Sequence, residues 1–418
     1  MFTRLKFWIL QTGEPMPLDG DGSRPMRAMN LSAALVEAGH DVVLWTADFH
    51  HTHHLHRFGT NTRLRVGDQL EVRYVRSRGY SSNIGLGRLV DHAQLGLNVR
   101  RALKAERPPD VAFVGYPPIE AAAVMATWLD ERGVPFLLDV KDAWPDVLLR
   151  GAPARARPLT RAVLSPYFRL MERTFERADG ITSTAQPFLE WALAQADRSQ
   201  NTLDRVVPLT SRATSVDPSE LESAERWWDE QGIRDDGRFR VSFVGTLHSS
   251  YDFNPLVAAA ELSDVEFVIC GDGSSANDLR ASVSGLSNVH MPGWITMAQA
   301  EVLARRSTVA LAPIAPHPDF AASVPNKFYD AMSKGLPVLT SLRGAAGDLV
   351  ESRGIGRVYS PNGAPSLRDV LSELLERPSD VMEMSSRGRQ VFTQEFDFEQ
   401  VYGGLVGHLE AMARGDGP

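Results

Sequence analysis

The chain of 418 residues has one cysteine, Cys270. A single thiol excludes a disulfide framework and any cysteine-built zinc site, and it fits a reducing compartment. Its place in the apolar run VEFVICG makes it a small buried hydrophobe. No apolar run approaches the roughly 18 residues that a membrane-crossing helix needs. Near the N-terminus the apolar stretch FWIL is too short for a signal-peptide core, so a cytoplasmic protein is expected. A basic surplus is also lacking: the formal net charge is -8 and the pI about 5.8. With no recognition motif, nucleic acid is not an expected partner. Repeats of 20 to 50 residues are absent, and 43% hydrophobic with 23% charged residues is ordinary for a globular protein with full cores. The length exceeds one ordinary core and predicts two domains.

Charge is unevenly spread. Residues 1–200 carry 25 Lys+Arg against 22 Asp+Glu, and the remainder 19 against 30. Between Arg150 and Arg177 seven arginines accompany only two acids, Glu172 and Glu176, interleaved with Leu159, Val163, Leu164, Tyr167, Phe168, Leu170 and Phe175. A basic helix with an apolar face is a candidate for an anionic membrane surface on the inner side of the cell membrane, and equally for a solvated helix packed on its own domain.

Strand and helix patterns alternate. Apolar runs that read as buried parallel strands are KFWILQ, DVVLWTA, LEVRYV, DVAFVGY, PFLLDV, GITST and DRVVPLT, and RPMRAMNLSAALVEAGH between the first two is a helix closing on Gly39. The charged segment from Pro218 to Phe239 reads as a helix, a polar turn and an inter-domain linker. A second series follows, FRVSFVGTL, VEFVICG, NVHMPGW, TVALAPI, PVLTS and GRVYS. Two such series predict an α/β protein with two doubly wound parallel sheets, their ligands beyond the carboxyl ends of the strands and the site in a cleft between the domains.

Chemistry-bearing residues gather at those strand ends. VPNKFYDAMSKGLPVL places Lys327 and Asp330 on one helix face behind Pro325, a start suited to a nucleoside diphosphate: amides and ammonium for phosphates, carboxylate for ribose hydroxyls. The loop EPMPLDGDGSR, with Gly20, Gly22 and Arg24, lets backbone approach a ligand but is not GxGxxG. LLDVKDAWPDV carries Asp139, Lys141, Asp142 and Asp146 after a strand, with Trp144 pushed from helical geometry by Pro145; Asp142 alternatively caps the next helix. FVGTLHSS offers Gly245, Thr246, His248 and two serines to phosphate oxygens without any Lys or Arg, and CGDGS ends a strand tightly through Gly271 and Gly273. The cluster HHTHHLH, from His50 to His56, lacks closed-zinc spacing and reads as a mobile loop, so no metal site is expected.

Together these segments resemble a bacterial retaining glycosyltransferase of the GT-B fold, family 4, in the branch that builds polysaccharide or lipid-linked sugars. PLDGDGSRPMRAMNLSAALVEAGHDVVLWT is similar to the family's N-terminal loop, helix and strand; CGDGS, MPGW and the PNK-to-GLPV segment are similar to its donor domain, in order. The resemblance implies an acceptor-binding domain over 1–212, joined by a C-terminal helix over 397–418, and a donor-binding domain over 213–396, with two Rossmann-like lobes facing across a cleft. It implies a hexosyltransferase-type reaction from a nucleotide-diphosphate sugar, such as a UDP-sugar, to a saccharide or lipid-linked acceptor, with no cofactor. Asp330 falls on the second acid of the family's E-x7-E motif, while the first falls on Ala322, leaving Asp319 or Ser323 as substitutes. Asn326 and Trp294 join the expected donor contacts with Gly245, Thr246, His248, Gly271 and Gly273. The family's basic pair is missing from GTLHSS, so Lys327 is the matching cation; its catalytic-site histidine falls on Lys141, beside Asp142. Gly20, Gly22, Arg24 and Trp144 are the expected acceptor contacts. A nucleotide-sugar 2-epimerase, or a catalytically silent nucleotide-sugar-binding subunit of the same fold, are the alternatives.

Overall fold

The computed structural model describes residues 4–20, 24–81, 85–212, 216–316 and 318–415, the side chains of 318 and 319 excepted. The chain divides into two compact units, Met1–Ser211 with Phe398–Pro418, and Arg212–Asp397.

The first unit contains β1 (Lys6–Leu10), β2 (Asp41–Ala47), β3 (Phe49–His50), β4 (Leu55–His56), β5 (Thr62–Val66), β6 (Leu70–Val75), β7 (Val111–Tyr116), β8 (Phe136–Val140), β9 (Gly180–Ser183) and β10 (Arg205–Val206). Among the described residues, eight of these form one sheet in the order β10-β9-β8-β7-β1-β2-β6-β5. Its pairings are parallel except that of β5 with β6. Strand order therefore reverses at β1, with β2 on one side and β7 on the other.

Side chains along β1 alternate between two cores, as the pleat requires. Trp8 and Leu10 join Met125, Leu129 and Phe175 on one face, while Phe7 and Ile9 join Leu31, Leu405 and Leu409 on the other. The second face is closed by the helix Gly404–Arg414. His40 helps to hold it: Nδ1 accepts the Leu5 amide at 3.3 Å, so Nε2 donates to Glu410 at 2.7 Å.

In the second unit β11 (Phe239–Val244), β12 (Val265–Cys270), β13 (Val289–Gly293), β14 (Val309–Ala312), β15 (Val338–Thr340) and β16 (Gly356–Val358) form a wholly parallel sheet in the order β13-β12-β11-β14-β15-β16. Here the reversal lies between β11 and β14. At such a point successive loops part to opposite sides and leave a crevice beyond the strand ends.

Two local expectations change. The segment expected as a helix and inter-domain linker does form a helix, Pro218–Glu230, capped by Asp217 accepting the Ser219 amide at 2.8 Å, but one built into the second unit. Trp228 explains this: its ring is fully buried with Val268, Val302 and Leu303, and its indole N–H reaches the Gln299 carbonyl at 2.8 Å. The His-rich loop is part of an antiparallel hairpin of β3 and β4, tied by His51 to the Tyr80 hydroxyl at 2.5 Å and His56 to Asp48 at 3.0 Å. The edge strand β5 is not marked by a continuous apolar run, because TRLRV turns only alternate residues inward.

Trp228→Ala should lower the unfolding midpoint of the second unit, at a cost of about 3–5 kcal/mol, read by thermal or denaturant unfolding. An unchanged transition would return this helix to the role of a linker.

Candidate active site

At the strand-order reversal of the first unit a cavity of about 230 Å3 opens beyond the carboxyl ends of the strands. Gln11 to Glu14 enter it after β1, Pro117 and Pro118 after β7, and Lys141 with Asp142 after β8. The buried Glu14 carboxylate organises this end. One oxygen takes the Lys141 ammonium and the other accepts the Ala28 amide at 2.8 Å. The helix Arg27–Glu37 has no side-chain cap of its own at Met26, so Glu14 supplies from another loop the anion that its positive end favours.

The acids of LLDVKDAWPDV separate. Asp139 is fully buried, 3.4 Å from Arg27 and accepting the Thr182 hydroxyl at 2.8 Å, a structural position. Asp146 accepts the Trp191 indole at 2.9 Å. Asp142 alone of the three lines the cavity, and it accepts the Trp144 indole at 3.1 Å. Trp144 is buried, its carbonyl taken by the Tyr116 hydroxyl at 2.6 Å. Neither Trp144, Gly20 nor Arg24 belongs to the cavity lining; Gly22 lies outside the described residues.

In the second unit the ends of β11, β12 and β13 are stitched together. The Gly245 amide donates to Cys270 at 2.9 Å, the Gly271 amide to Gly293 at 2.7 Å, and the Leu247 amide to Asp272 at 2.8 Å. Three positions favour glycine: at Gly271 (φ 133°) a Cβ would collide with the Gly245 carbonyl and at Gly273 with that of Leu247, while at Gly245 (φ 154°) the backbone itself is strained for other residues and a Cβ would displace the Lys327 ammonium. Gly273 is in the same backbone region at φ 148°. Lys327 rises from the first turn of the helix Asn326–Ser333, behind an extended Pro325. Its ammonium donates to the Val244 carbonyl, 4.5 Å from the ring centre of Phe243 and 5.6 Å from that of Tyr251. Thus Lys327, Gly245 and Gly271 meet at the strand-order reversal.

His248 stands beside them, its Nδ1 accepting the Ser250 amide at 3.2 Å and its ring 4.8 Å from Tyr251. Burial, then the Lys327 charge, holds its pKa below the usual imidazole value. Thr246 is exposed and Trp294 is 63% exposed just after β13. The Ser323 hydroxyl donates to Phe320 at 3.3 Å, the Asn326 amide oxygen is buried without a hydrogen-bond partner among the described residues, and Asp330 is half-buried one turn on. The side chain of Asp319 is not among those described.

Residues 25–209 match the family described as "Glycosyl transferase 4-like domain", and residues 238–377 that described as "Glycosyl transferases group 1". The chain belongs to the group 1, family 4-like glycosyltransferases. Sucrose-phosphate synthase from Thermosynechococcus elongatus is similar over 98% of this enzyme and 100% of that chain, with a TM-score of 0.70 and 17% identity. HepE of Anabaena, solved in complex with UDP, matches over 97% and 100% with a TM-score of 0.65 and 16% identity. WaaG, a glycosyltransferase involved in lipopolysaccharide biosynthesis, matches over 97% and 99% at 0.61 and 15%. The enzyme therefore has the GT-B fold. No curated sequence matches the chain. Among the described residues no helix is long and apolar enough to cross a membrane, and no group of three or more His, Cys, Asp or Glu side chains is placed to hold a metal ion.

The glycosyltransferase also has cavity residues that sequence reasoning passed over. Glu14, Tyr80, Arg88, Asp91 and His92 all line it, together with His51 of the His-rich segment. Two signals were available: Glu14 lies in the loop that follows β1, and Arg88 with His92 is an i,i+4 pair on one face of the helix Leu86–Leu103. Arg88 Nε donates to His92 Nε2 at 3.4 Å. Burial, and secondarily the Arg88 charge, pushes the His92 pKa down to about 3. The folded enzyme thus keeps His92 neutral, whereas the unfolded chain protonates it near 6.5. Its contribution to stability is complete above pH 6.5 and drains away as pH falls toward 3.

His92→Gln should flatten that loss. Between pH 6.5 and 4 the wild type should weaken relative to the variant by up to about 1.4 kcal/mol per pH unit, read from denaturant midpoints. Parallel pH profiles would refute a neutral buried His92.

Proposed function

We propose that this enzyme moves a sugar, with retention of anomeric configuration, from a nucleotide-diphosphate sugar held on Arg212–Asp397 to a saccharide or lipid-linked acceptor held on the first unit, in cell-surface polysaccharide or glycoconjugate synthesis. The observation that carries the reading is the Lys327 ammonium nested at the end of β11 beside Gly245. HepE has been solved with UDP and with UDP-glucose, which supports a donor of that class on the same fold, and the part of WaaG in lipopolysaccharide biosynthesis supports the pathway class.

The chemistry follows from charge. As the glycosidic bond breaks, the diphosphate gains negative charge and the sugar becomes oxocarbenium-like. Lys327 stabilises that departing charge more than the intact donor, with no cofactor or metal taking part. Asp330 receives the ribose hydroxyls and Trp294 offers a face to the base. On the acceptor side Asp142 and Lys141 orient hydroxyls, and the departing phosphate accepts the acceptor's proton on the same face.

A peripheral location on the inner face of the cell membrane completes the reading. Leu159 and Val163 are 70% and 69% exposed, and Arg155, Arg157 and Arg161 around them are exposed as well. That combination suits insertion of two aliphatic side chains among anionic lipid head groups.

Lys327→Ala should lose most turnover and weaken UDP binding in calorimetry; near-normal transfer would remove the assigned role. Separately, the enzyme should co-sediment with vesicles containing anionic lipid, less so at high salt and less so as Leu159→Asp. Binding indifferent to lipid charge would argue against the membrane assignment.

A further inference from the structure

One corner of the first unit's cavity has a character that uncharged sugar hydroxyls do not explain. Arg88, His51, His92 and the Tyr80 hydroxyl converge there. The guanidinium carbon of Arg88 lies 5.0 Å from the ring centre of Trp144 and 5.9 Å from that of Tyr80, and its Nε–H is directed at His92. These aromatic contacts and this hydrogen bond help to hold the plane of the fork, a condition for bidentate recognition of a carboxylate or phosphate. Next to it, His51 shares a 2.5 Å hydrogen bond with the Tyr80 hydroxyl.

The cavity's acids lie in other arrangements. Glu14 is engaged by Lys141 and the Ala28 amide, Asp91 by the Gly79 amide at 2.6 Å, and Asp142 by the Trp144 indole. The Arg88 charge reaches the imidazoles, adding to burial in disfavouring the protonated form of both His51 and His92, while at the Tyr80 hydroxyl it is opposed by Asp91. An anion entering there would meet the Arg88 guanidinium, the Tyr80 hydroxyl and the His51 imidazole.

We propose that the acceptor carries a negatively charged group, a phosphate or a carboxylate, and that Arg88 with His51 and Tyr80 forms the subsite that receives it. This rests on the assignment of the acceptor to the first unit, and it names the acceptor's chemical class. Arg88 is then a specificity-determining residue, and His92 positions it.

Calorimetry with saturating UDP, to fill the donor site, separates the sources by comparing glucose 6-phosphate, glucuronate and glucose as probes. At least one anionic probe should bind about tenfold or more tightly than glucose; preference for glucose 6-phosphate identifies a phosphate, and preference for glucuronate a carboxylate. Arg88→Gln should erase the difference, and Arg88→Lys should keep part of it, with the melting temperature and UDP affinity of both variants near wild type. The proposal is overturned if the three probes bind alike or not at all, or if Arg88→Gln retains the preference. Failure of the broader functional reading would show differently, as wild-type enzyme that does not bind UDP.

Discussion

Reversal of strand order in each parallel sheet is the constraint on which everything else depends. A parallel strand sends its carboxyl end and its following loop to the same edge, and at a reversal two neighbouring loops leave in opposite directions. Backbone there cannot close over itself. In the first unit the result is a cavity bordered by the loops after β1, β7 and β8. In the second, the loops after β11, β12 and β13 hydrogen-bond to one another, and the space is narrow enough that Gly271 and Gly273 have no room for a side chain. Lys327 reaches this point because a helix that starts beside the same edge brings its first turn there.

Much of this was legible because it is local. The strands are apolar runs buried on both faces, which leaves an unmistakable pattern, and the Lys327 helix declared itself through Pro325, the ammonium and the Gly-Leu-Pro ending. The glycines of CGDGS and GTLHSS mark strand ends for the same local reason. What escaped was decided by partners far along the chain. Glu14 matters through Lys141 and Ala28, and Asp139, which reads as a candidate acid, is withdrawn from chemistry by Arg27 and Thr182. The charged segment from Pro218 reads as a linker because its acids and arginines outnumber its apolar residues; the burial of Trp228 against Val302 and Leu303 makes it part of the second unit's core. Five histidines in seven positions suggested a mobile loop, but Tyr80 and Asp48, neither of them in the cluster, tie that stretch down.

The histidines illustrate how position overrides composition. His40 is buried and works as a strut, donating to Glu410 on the returning helix while accepting from Leu5. His92 is buried and neutral, accepting from Arg88. His248 is partly buried, with Nδ1 committed to the Ser250 amide, so its proton in the neutral form sits on Nε2. One residue type thus serves as donor, as acceptor and as an oriented donor at a strand end, and only the partner of each ring nitrogen separates these roles.

The two charged layers along β8 show why the first unit tolerates so polar a cavity over its core. Asp139 and Lys141 are two residues apart at the end of one strand and so project to the same face. Below, Asp139 faces Arg27, both fully buried; removing either partner would strand a charge in low dielectric, a cost of about 3–5 kcal/mol. Above, Lys141 faces Glu14, which also binds the amide of Ala28, the residue next to Arg27. The same two consecutive helix residues, Arg27 and Ala28, are therefore gripped by acids at two heights, one from β8 and one from the loop after β1. That double grip sets the helix against the strand in both directions, so the cavity wall is held by charge pairing at the place where apolar packing ends.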